Sequence, residues 1–270
     1  MNLRAFAENL LAADTLAGKL APPPDELTDD LPGPAVRVTA PVRPPHLAIA
    51  PARQVKVPRA LGMSDPAQRA RILHALANHE LQAAELFAWA LLAFPDAPGP
   101  FRRGLVAILG DEQRHCQMYI ERLQALGGDF GDYPVTGHFW HRIADVTSPL
   151  GFVCTMGLTF ENANLDFAGD YAREAEKAGD LATRAVLEVV HADEIRHVRF
   201  AWTWLHKLPA AVTYPSAWDK YLAHVAWPLG PARARGKELD RSSREAAGLD
   251  SDFIDHLDRT TPTRPSGQPR

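Results

Sequence analysis

The sequence has few cysteines, no long hydrophobic run and no excess of positive charge. Only Cys116 and Cys154 occur in 270 residues, which excludes a disulfide framework and favours a reducing compartment. No window approaches the roughly 20 apolar residues that a membrane-spanning helix requires. A net charge of -4 gives no general attraction to nucleic acid or to anionic membranes. We therefore expect a soluble cytoplasmic protein that binds neither.

The N-terminus lacks the features of a signal peptide. The first 20 residues, MNLRAFAENLLAADTLAGKL, carry Arg4, Glu8 and Asp14 and no small-residue cleavage site after a long apolar run. Their pattern predicts an amphipathic helix over residues 1–20.

Acidic residues are absent between Asp30 and Asp65, where prolines are dense. We expect residues 21–63 to form an extended arm over the surface. Its basic side chains indicate either a solvated tether or a docking strip for a phosphate-bearing partner; they are Arg37, Arg43, Arg53, Lys56 and Arg59.

Sustained two-residue alternation, the pattern of a half-buried strand, is also absent, so we predict an all-α fold. Caps, glycines and prolines delimit four long helices within residues 64–208: Ser64 to Phe94, Phe101 to Ala125, Ser148-Pro149 to Ala178-Gly179, and Asp180 to Lys207. The connections are short, long and short, which predicts a four-helix bundle with a long crossover between its second and third helices. Residues 209–270 form a C-terminal extension with weaker helical patches at Trp218 to Val225 and Asp250 to Leu257, before a polar end.

Each of the four predicted helices carries a glutamate in the middle of its apolar stripe. These residues are Glu80, Glu112, Glu161 and Glu194. An ionised carboxylate is costly in a protein core unless it is paired, protonated or bound to a metal. Four that face one another would also repel, and two bound cations would remove both costs.

Two of the glutamates begin a Glu-x-x-His pair, which places a carboxylate and an imidazole one turn apart on one helix face. The pairs lie in nearly identical pentapeptides, DEQRH at 111–115 and DEIRH at 193–197. The spacing from Glu80 to Glu112 is 32 residues and from Glu161 to Glu194 is 33, so two helical hairpins repeat each other. A third match, Glu188 with His191, does not fit the repeat. The predicted metal ligands are Glu80, Glu112, His115, Glu161, Glu194 and His197.

Several neighbouring residues allow more than one interpretation. Glu85 is an alternative ligand on the first helix, or, like Asp166, an outer or surface group. Asp111 and Asp193 either accept the second imidazole N–H of a ligand histidine or form salt bridges with a neighbouring arginine. His191 is a donor near the metals, a ligand, or a hydrogen-bonded core histidine. Tyr119 either lines a cavity beside the metals, where it can be redox-active, or simply packs.

The motif series resembles the ferritin-like superfamily, which includes ferritins, rubrerythrins and dimetal oxygenases. The stretches HALANHELQAAELFAWALLAF, DEQRHCQMYIERLQALGGDFGDYP and HADEIRHVRFAW are similar to a bacterial ferritin-like branch of undetermined function, related to the diiron tRNA hydroxylases. The resemblance covers about residues 1–250 and implies the same six ligands.

These observations predict an oxidoreductase with two metal ions that activates O₂ or peroxide to oxidise an unidentified small molecule, with an unknown electron donor. Iron suits the ligand set, and manganese or a mixed pair is chemically allowed. The alternatives are an iron-handling or peroxide-scavenging protein, a binding protein with a structural metal, and a tRNA hydroxylase-like enzyme. The last depends on the arm and on a second basic run, Arg233, Arg235, Lys237, Arg241 and Arg244.

Overall fold

A computed structural model describes residues 1–226 and 228–261 of the chain. Over these residues the backbone forms ten α-helices, six 3₁₀ or π-helical segments and no strand, so the predicted all-α class is confirmed. The described residues divide into two compact units, one up to residue 144 and one from residue 145 onward. The division falls inside the predicted crossover and separates the two predicted hairpins. None of the helices in the described part of the chain is long and apolar enough to cross a bilayer.

The N-terminal unit contains four α-helices. They are α1 (Leu3–Ala12), α2 (Leu16–Lys19), α3 (Pro66–Ala93) and α4 (Gly99–Gln124). The helix predicted over residues 1–20 is therefore two helices, because Thr15 leaves the helical conformation and caps α2 by accepting a hydrogen bond from Gly18 N.

The start of α3 differs by one residue from the sequence prediction. Asp65, not Ser64, is the N-cap, and its Oδ1 accepts a hydrogen bond from Gln68 N at 2.8 Å. Ser64 ends the preceding 3₁₀ turn, Ala60–Ser64. Pro66 occupies the first turn as predicted, where its missing N–H costs nothing.

Helices α3 and α4 form an antiparallel hairpin. At one end Arg102 Nη1 donates to the backbone oxygens of Leu91 (2.7 Å) and Phe94 (3.0 Å). About four turns from there, Cys116 Sγ donates to Ala77 O at 3.2 Å. These pairs fix the register in which residues in the middle of α3 lie beside residues in the middle of α4.

Helix α3 is buried on nearly all sides, and the N-terminal segments cover part of its surface. Helix α1 packs against it. Hydrogen bonds between this helix and the arm include those from Trp89 Nε1 to Val38 O and from Val36 N to Leu92 O. Residues 21–63 contain no α-helix but three 3₁₀ turns, at Pro45–Leu47, Ala52–Gln54 and Ala60–Ser64. A helix that is buried all round, as α3 is from Leu81 onward, requires such cover.

The C-terminal unit contains the second hairpin and the extension. Its helices are α5 (Pro149–Phe152), α6 (Asn162–Lys177), α7 (Leu181–Lys207), α8 (Ala217–His224), α9 (Arg241–Ala247) and α10 (Ser251–Arg259). A π-helical segment, Val153–Glu161, joins α5 to α6. The predicted third helix is continuous, but Val153–Glu161 within it is π-helical rather than α-helical. The predicted caps Ser148 and Asp180 are confirmed.

The second hairpin is also antiparallel. Asn164 on α6 donates to Glu194 on α7 at 3.2 Å. Further along, a Cβ added to Gly157 would lie 2.2 Å from Ala201 Cβ, closer than any real contact. Because Gly157 has no side chain, the backbone of the π-helical segment can pack directly against Ala201 of α7.

The extension covers the second hairpin with three short helices. Helices α8 and α10 match the predicted patches, and their aromatic side chains pack edge to face, with Trp218 and Phe253 centroids 5.2 Å apart. Helix α9 was not predicted, because seven residues give too short a periodic pattern. The predicted polar end, residues 262–270, lies outside the described residues.

Candidate metal centre

Three of the predicted ligands converge inside the N-terminal unit. Glu80 on α3 and Glu112 and His115 on α4 each offer one donor atom, and these atoms lie within 4.8 Å of one another. Their side chains are buried, with His115 and Glu112 fully inaccessible. We call this group the N-terminal triad.

The other three predicted ligands form the same arrangement inside the C-terminal unit. Glu161 ends the π-helical segment, Glu194 and His197 lie on α7, and their donor atoms also lie within 4.8 Å of one another. All three are buried. Asn164 Nδ2 donates to Glu194 Oε1 at 3.2 Å and orients that carboxylate. We call this group the C-terminal triad.

The distances within each triad fit shared ligation of a cation better than direct hydrogen bonding. His115 Nδ1 lies 3.7 Å from Glu112 Oε2 and 4.0 Å from Glu80 Oε2. His197 Nδ1 lies 3.4 Å from Glu194 Oε2. An N–H···O hydrogen bond measures about 2.7–3.2 Å, whereas two donors each about 2.1 Å from one ion lie up to about 4.2 Å apart.

The chemistry of the donors agrees with that geometry. Each triad places two carboxylates and one imidazole in a water-poor environment, where two uncompensated negative charges would be costly. Carboxylate oxygen with imidazole nitrogen suits divalent transition metals. Each buried Glu/His cluster can therefore hold a metal ion.

The third Glu-x-x-His match is not part of either triad. Glu188 is exposed and pairs with Arg184 one turn earlier at 2.7 Å. His191 Nε2 lies 3.1 Å from Leu165 O and 3.3 Å from Ser243 Oγ. His191 is therefore a hydrogen-bonded histidine, but it is half-buried rather than part of the core. Its role as a donor near the metals or as a ligand stays a prediction.

Asp111 and Asp193 show the salt bridges that the sequence left open. Asp111 Oδ1 lies 2.9 Å from Arg114 Nη2, and Asp193 pairs with Arg196 in the same i,i+3 relation. Orientation of a ligand histidine by either carboxylate stays a prediction.

Glu85 is neither a member of the N-terminal triad nor a surface group. Its carboxylate is fully buried and binds Lys19 Nζ at 3.1 Å, Arg43 Nη2 at 2.7 Å and Trp140 Nε1 at 2.9 Å. The partners come from α2, the arm and the crossover, so Glu85 ties all three to α3. Desolvation lowers the pKa of Lys19, and the negative charge of the nearby Glu85 offsets part of this shift.

Asp166 has an equivalent role in the C-terminal unit. Arg244 on α9 binds both of its oxygens, at 2.7 and 3.0 Å, and the backbone N–H groups of Gly236 and Asp240 donate to them. The surface interpretation of Asp166 is therefore wrong. The sequence carried one signal, since Asp166 follows Glu161 by the same five residues by which Glu85 follows Glu80.

Some side chains of the two basic runs are buried inside the units. The Arg43 side chain is 2 % exposed, and Arg235 and Arg244 are buried. The interpretation of the arm as a fully solvated tether fails at Arg43, and both runs offer fewer charges to a phosphate-bearing partner than their sequences indicate.

Two further side chains lie next to His115 on α4. Tyr119, one turn further along, is buried, and its redox role stays a prediction. Burial raises the pKa of the Cys116 thiol far above its usual range, which suits a small apolar core residue rather than a reactive thiolate.

Comparison with known proteins identifies a family but no activity. Neither the curated proteins nor the solved structures contain a significant match to the chain. A family model described as "Protein of unknown function (DUF455)" matches residues 3–255, which include both hairpins, the arm and all six predicted ligands. The chain belongs to this DUF455 family.

Proposed function

We propose that the six triad residues bind two metal ions in a carboxylate-bridged dimetal centre of ferritin-like type, and that the protein is an oxidoreductase. The observation that carries the proposal is the burial in each unit of three donor atoms that lie within 4.8 Å of one another. Three histidine-to-carboxylate distances, 3.4 to 4.0 Å, exceed the usual length of an N–H···O hydrogen bond.

The repeated motif supports two ions rather than one. Each unit supplies a glutamate from its first hairpin helix and a Glu-x-x-His pair from its second, which is the ligand set of dimetal carboxylate proteins. Three donors leave an ion short of the four to six ligands it usually takes, and each carboxylate has a second oxygen with which to bridge.

Iron is the metal that we propose, with manganese or a mixed pair as alternatives, because oxygen-rich sites with one imidazole per ion suit these metals. When bound, two redox-active ions supply the electrons that activate O₂ or peroxide for oxidation of an organic substrate. The chain's own contribution is to hold the donors in place and to exclude bulk water with the apolar residues of α3, α4 and α7.

Oxygen uptake by the reduced, iron-loaded protein tests this function. Protein from iron-replete cells, reduced without air and then mixed with O₂, is expected to consume O₂ in proportion to its iron content. The Glu112→Ala variant should lose at least about 90 % of the rate, since a donor of the N-terminal triad is removed. Glu188→Ala, which alters the exposed Glu-x-x-His match, should behave as the wild type.

The same experiment separates the alternatives. An iron-handling protein would oxidise Fe(II) and then stop, giving only ferric ion and water, whereas an oxidoreductase turns over when a reductant and substrate are supplied. A structural metal site would retain its metal and consume no O₂, and that result would overturn the proposed function.

A further inference from the structure

One cavity in the N-terminal unit is lined by none of the proposed metal ligands. Its volume is about 180 Å³, and three segments enclose it: residues 54–57 of the arm, one face of α3, and residues 133–136 of the crossover. A cavity of about 150 Å³ holds one benzene ring. The space therefore suits a compact molecule with a single ring.

The charged side chains that line this cavity are all basic. Lys56 and Arg71 lie at its rim and are exposed, and none of its thirteen lining residues, all within the described part of the chain, is acidic. The adjacent Asp132 is exposed and accepts a hydrogen bond from Asp129 N. A ligand at the rim consequently meets positive potential.

A buried group of paired charged side chains lies behind the cavity floor. Asn78 lines the floor and is almost fully buried; its Nδ2 donates to Thr136 O at 3.1 Å, and its Oδ1 accepts from Arg43 Nη1 at 2.9 Å. Arg43 and Lys19 share one carboxylate, that of Glu85. The floor residue Asn78 is thus held on both sides, by Thr136 and by an arginine that is itself paired.

The aromatic wall of the cavity is held in place by fixed contacts. His74 Nε2 accepts hydrogen bonds from Gly131 N (3.0 Å) and Tyr133 N (3.4 Å), which fixes the backbone that carries the Tyr133 ring. The Arg71 guanidinium lies 5.0 Å from the centroid of that ring. Arg71 thus has a defined position, with N–H donors that can bind an oxyanion in bidentate fashion.

We propose that this cavity binds a small organic anion, consisting of one ring-sized apolar body and a carboxylate or phosphate group held by Arg71 and Lys56. The apolar body would contact Tyr133 and the aliphatic lining residues. The inference does not depend on the dimetal proposal, since it concerns a different set of residues.

Calorimetric titration with benzoate and with phenyl phosphate at low salt tests the proposal on the full-length protein. We expect saturable binding of one molecule per chain for at least one of the two probes, which identifies the preferred oxyanion, and weaker binding of neutral benzyl alcohol. Arg71→Gln and Lys56→Gln should each weaken binding about tenfold, the value of one charge-assisted hydrogen bond. Both residues are exposed, so both variants should fold.

Arg103→Gln is the matched control, because Arg103 is an exposed arginine of α4 that does not line the cavity. Its affinity for the probes should equal that of the wild type. Absence of saturable binding of both probes, or an equal loss in Arg103→Gln and Arg71→Gln, would overturn the proposal. The metal content of Arg71→Gln should match the wild type, which keeps this test separate from that of the dimetal centre.

Discussion

The two units place the same donors in the same relation with different backbones. In each, a glutamate from the first hairpin helix meets a Glu-x-x-His pair on the second. Helix α3 carries Glu80 in regular α-helix, whereas Glu161 ends a π-helical segment. A π turn holds one more residue than an α turn and often occurs at functional sites. The geometry of a triad is therefore not tied to one helical repeat.

The units also share a buried carboxylate five residues after that glutamate, but they neutralise it differently. Glu85 is bound by three side chains from three segments. Asp166 is bound by one arginine and two backbone N–H groups. The N-terminal unit spreads the interaction over several partners, while the C-terminal unit depends on Arg244.

Removal of the arginine should reveal this difference most clearly. Arg244→Met leaves Asp166 without a cationic partner in the core, and we expect it to lower the free energy of unfolding by about 3–5 kcal/mol. Arg43→Met should cost less, about 2 kcal/mol, because Glu85 keeps Lys19 and Trp140. Urea unfolding measures the free energy of unfolding of both variants. An equal decrease in the two would contradict the proposed difference between the units.

Acid should affect the N-terminal unit through His74. Desolvation lowers the pKa of His74 to about 4, against an opposing effect of Asp132. The unfolded chain binds the proton first, so this contribution to stability is complete above about pH 6.5 and is lost as the pH falls to about 4. Between pH 7.5 and 4 the wild type should lose about 3 kcal/mol more than His74→Gln.

If His74→Gln shows the same pH dependence of stability as the wild type, the neutral, accepting state of His74 is not what stabilises the segment at Gly131 and Tyr133.

The close approach within the second hairpin predicts a smaller effect. Gly157→Ala puts a methyl group against Ala201 and should destabilise the protein by about 1–3 kcal/mol through overpacking. Gly110→Ala in α4 meets only ordinary contacts, with Pro23 at 3.5 Å, and should be neutral or stabilising by up to about 1 kcal/mol. Thermal unfolding distinguishes the two variants. Equal shifts in their melting temperatures would show that a methyl group is accommodated equally well at both glycines.

The sequence predicted the helices and the triads because both depend on local periodicity. A glutamate in the middle of an apolar stripe is visible within one helix, and so are caps such as Asp180 and Ser148. The π-helical segment was missed because it preserves the apolar run while it changes the repeat by one residue per turn.

The partners of Glu85 and Asp166 were missed for another reason. They lie 42 to 78 residues away in the sequence, and no local pattern reports which arginine of a basic run is buried. Arg43 looked the same as its solvated neighbours in the arm. Only tertiary packing distinguishes them, which is why the shared five-residue offset was the sole available signal.

Metal content per chain tests the central claim most directly. Protein purified from iron-replete cells should contain about two metal ions per chain. His115→Ala and His197→Ala, one from each triad, should each lower that value to about one or less, while Glu188→Ala leaves it unchanged. Fewer than about one ion in the wild type, with the same value in both histidine variants, would contradict the account.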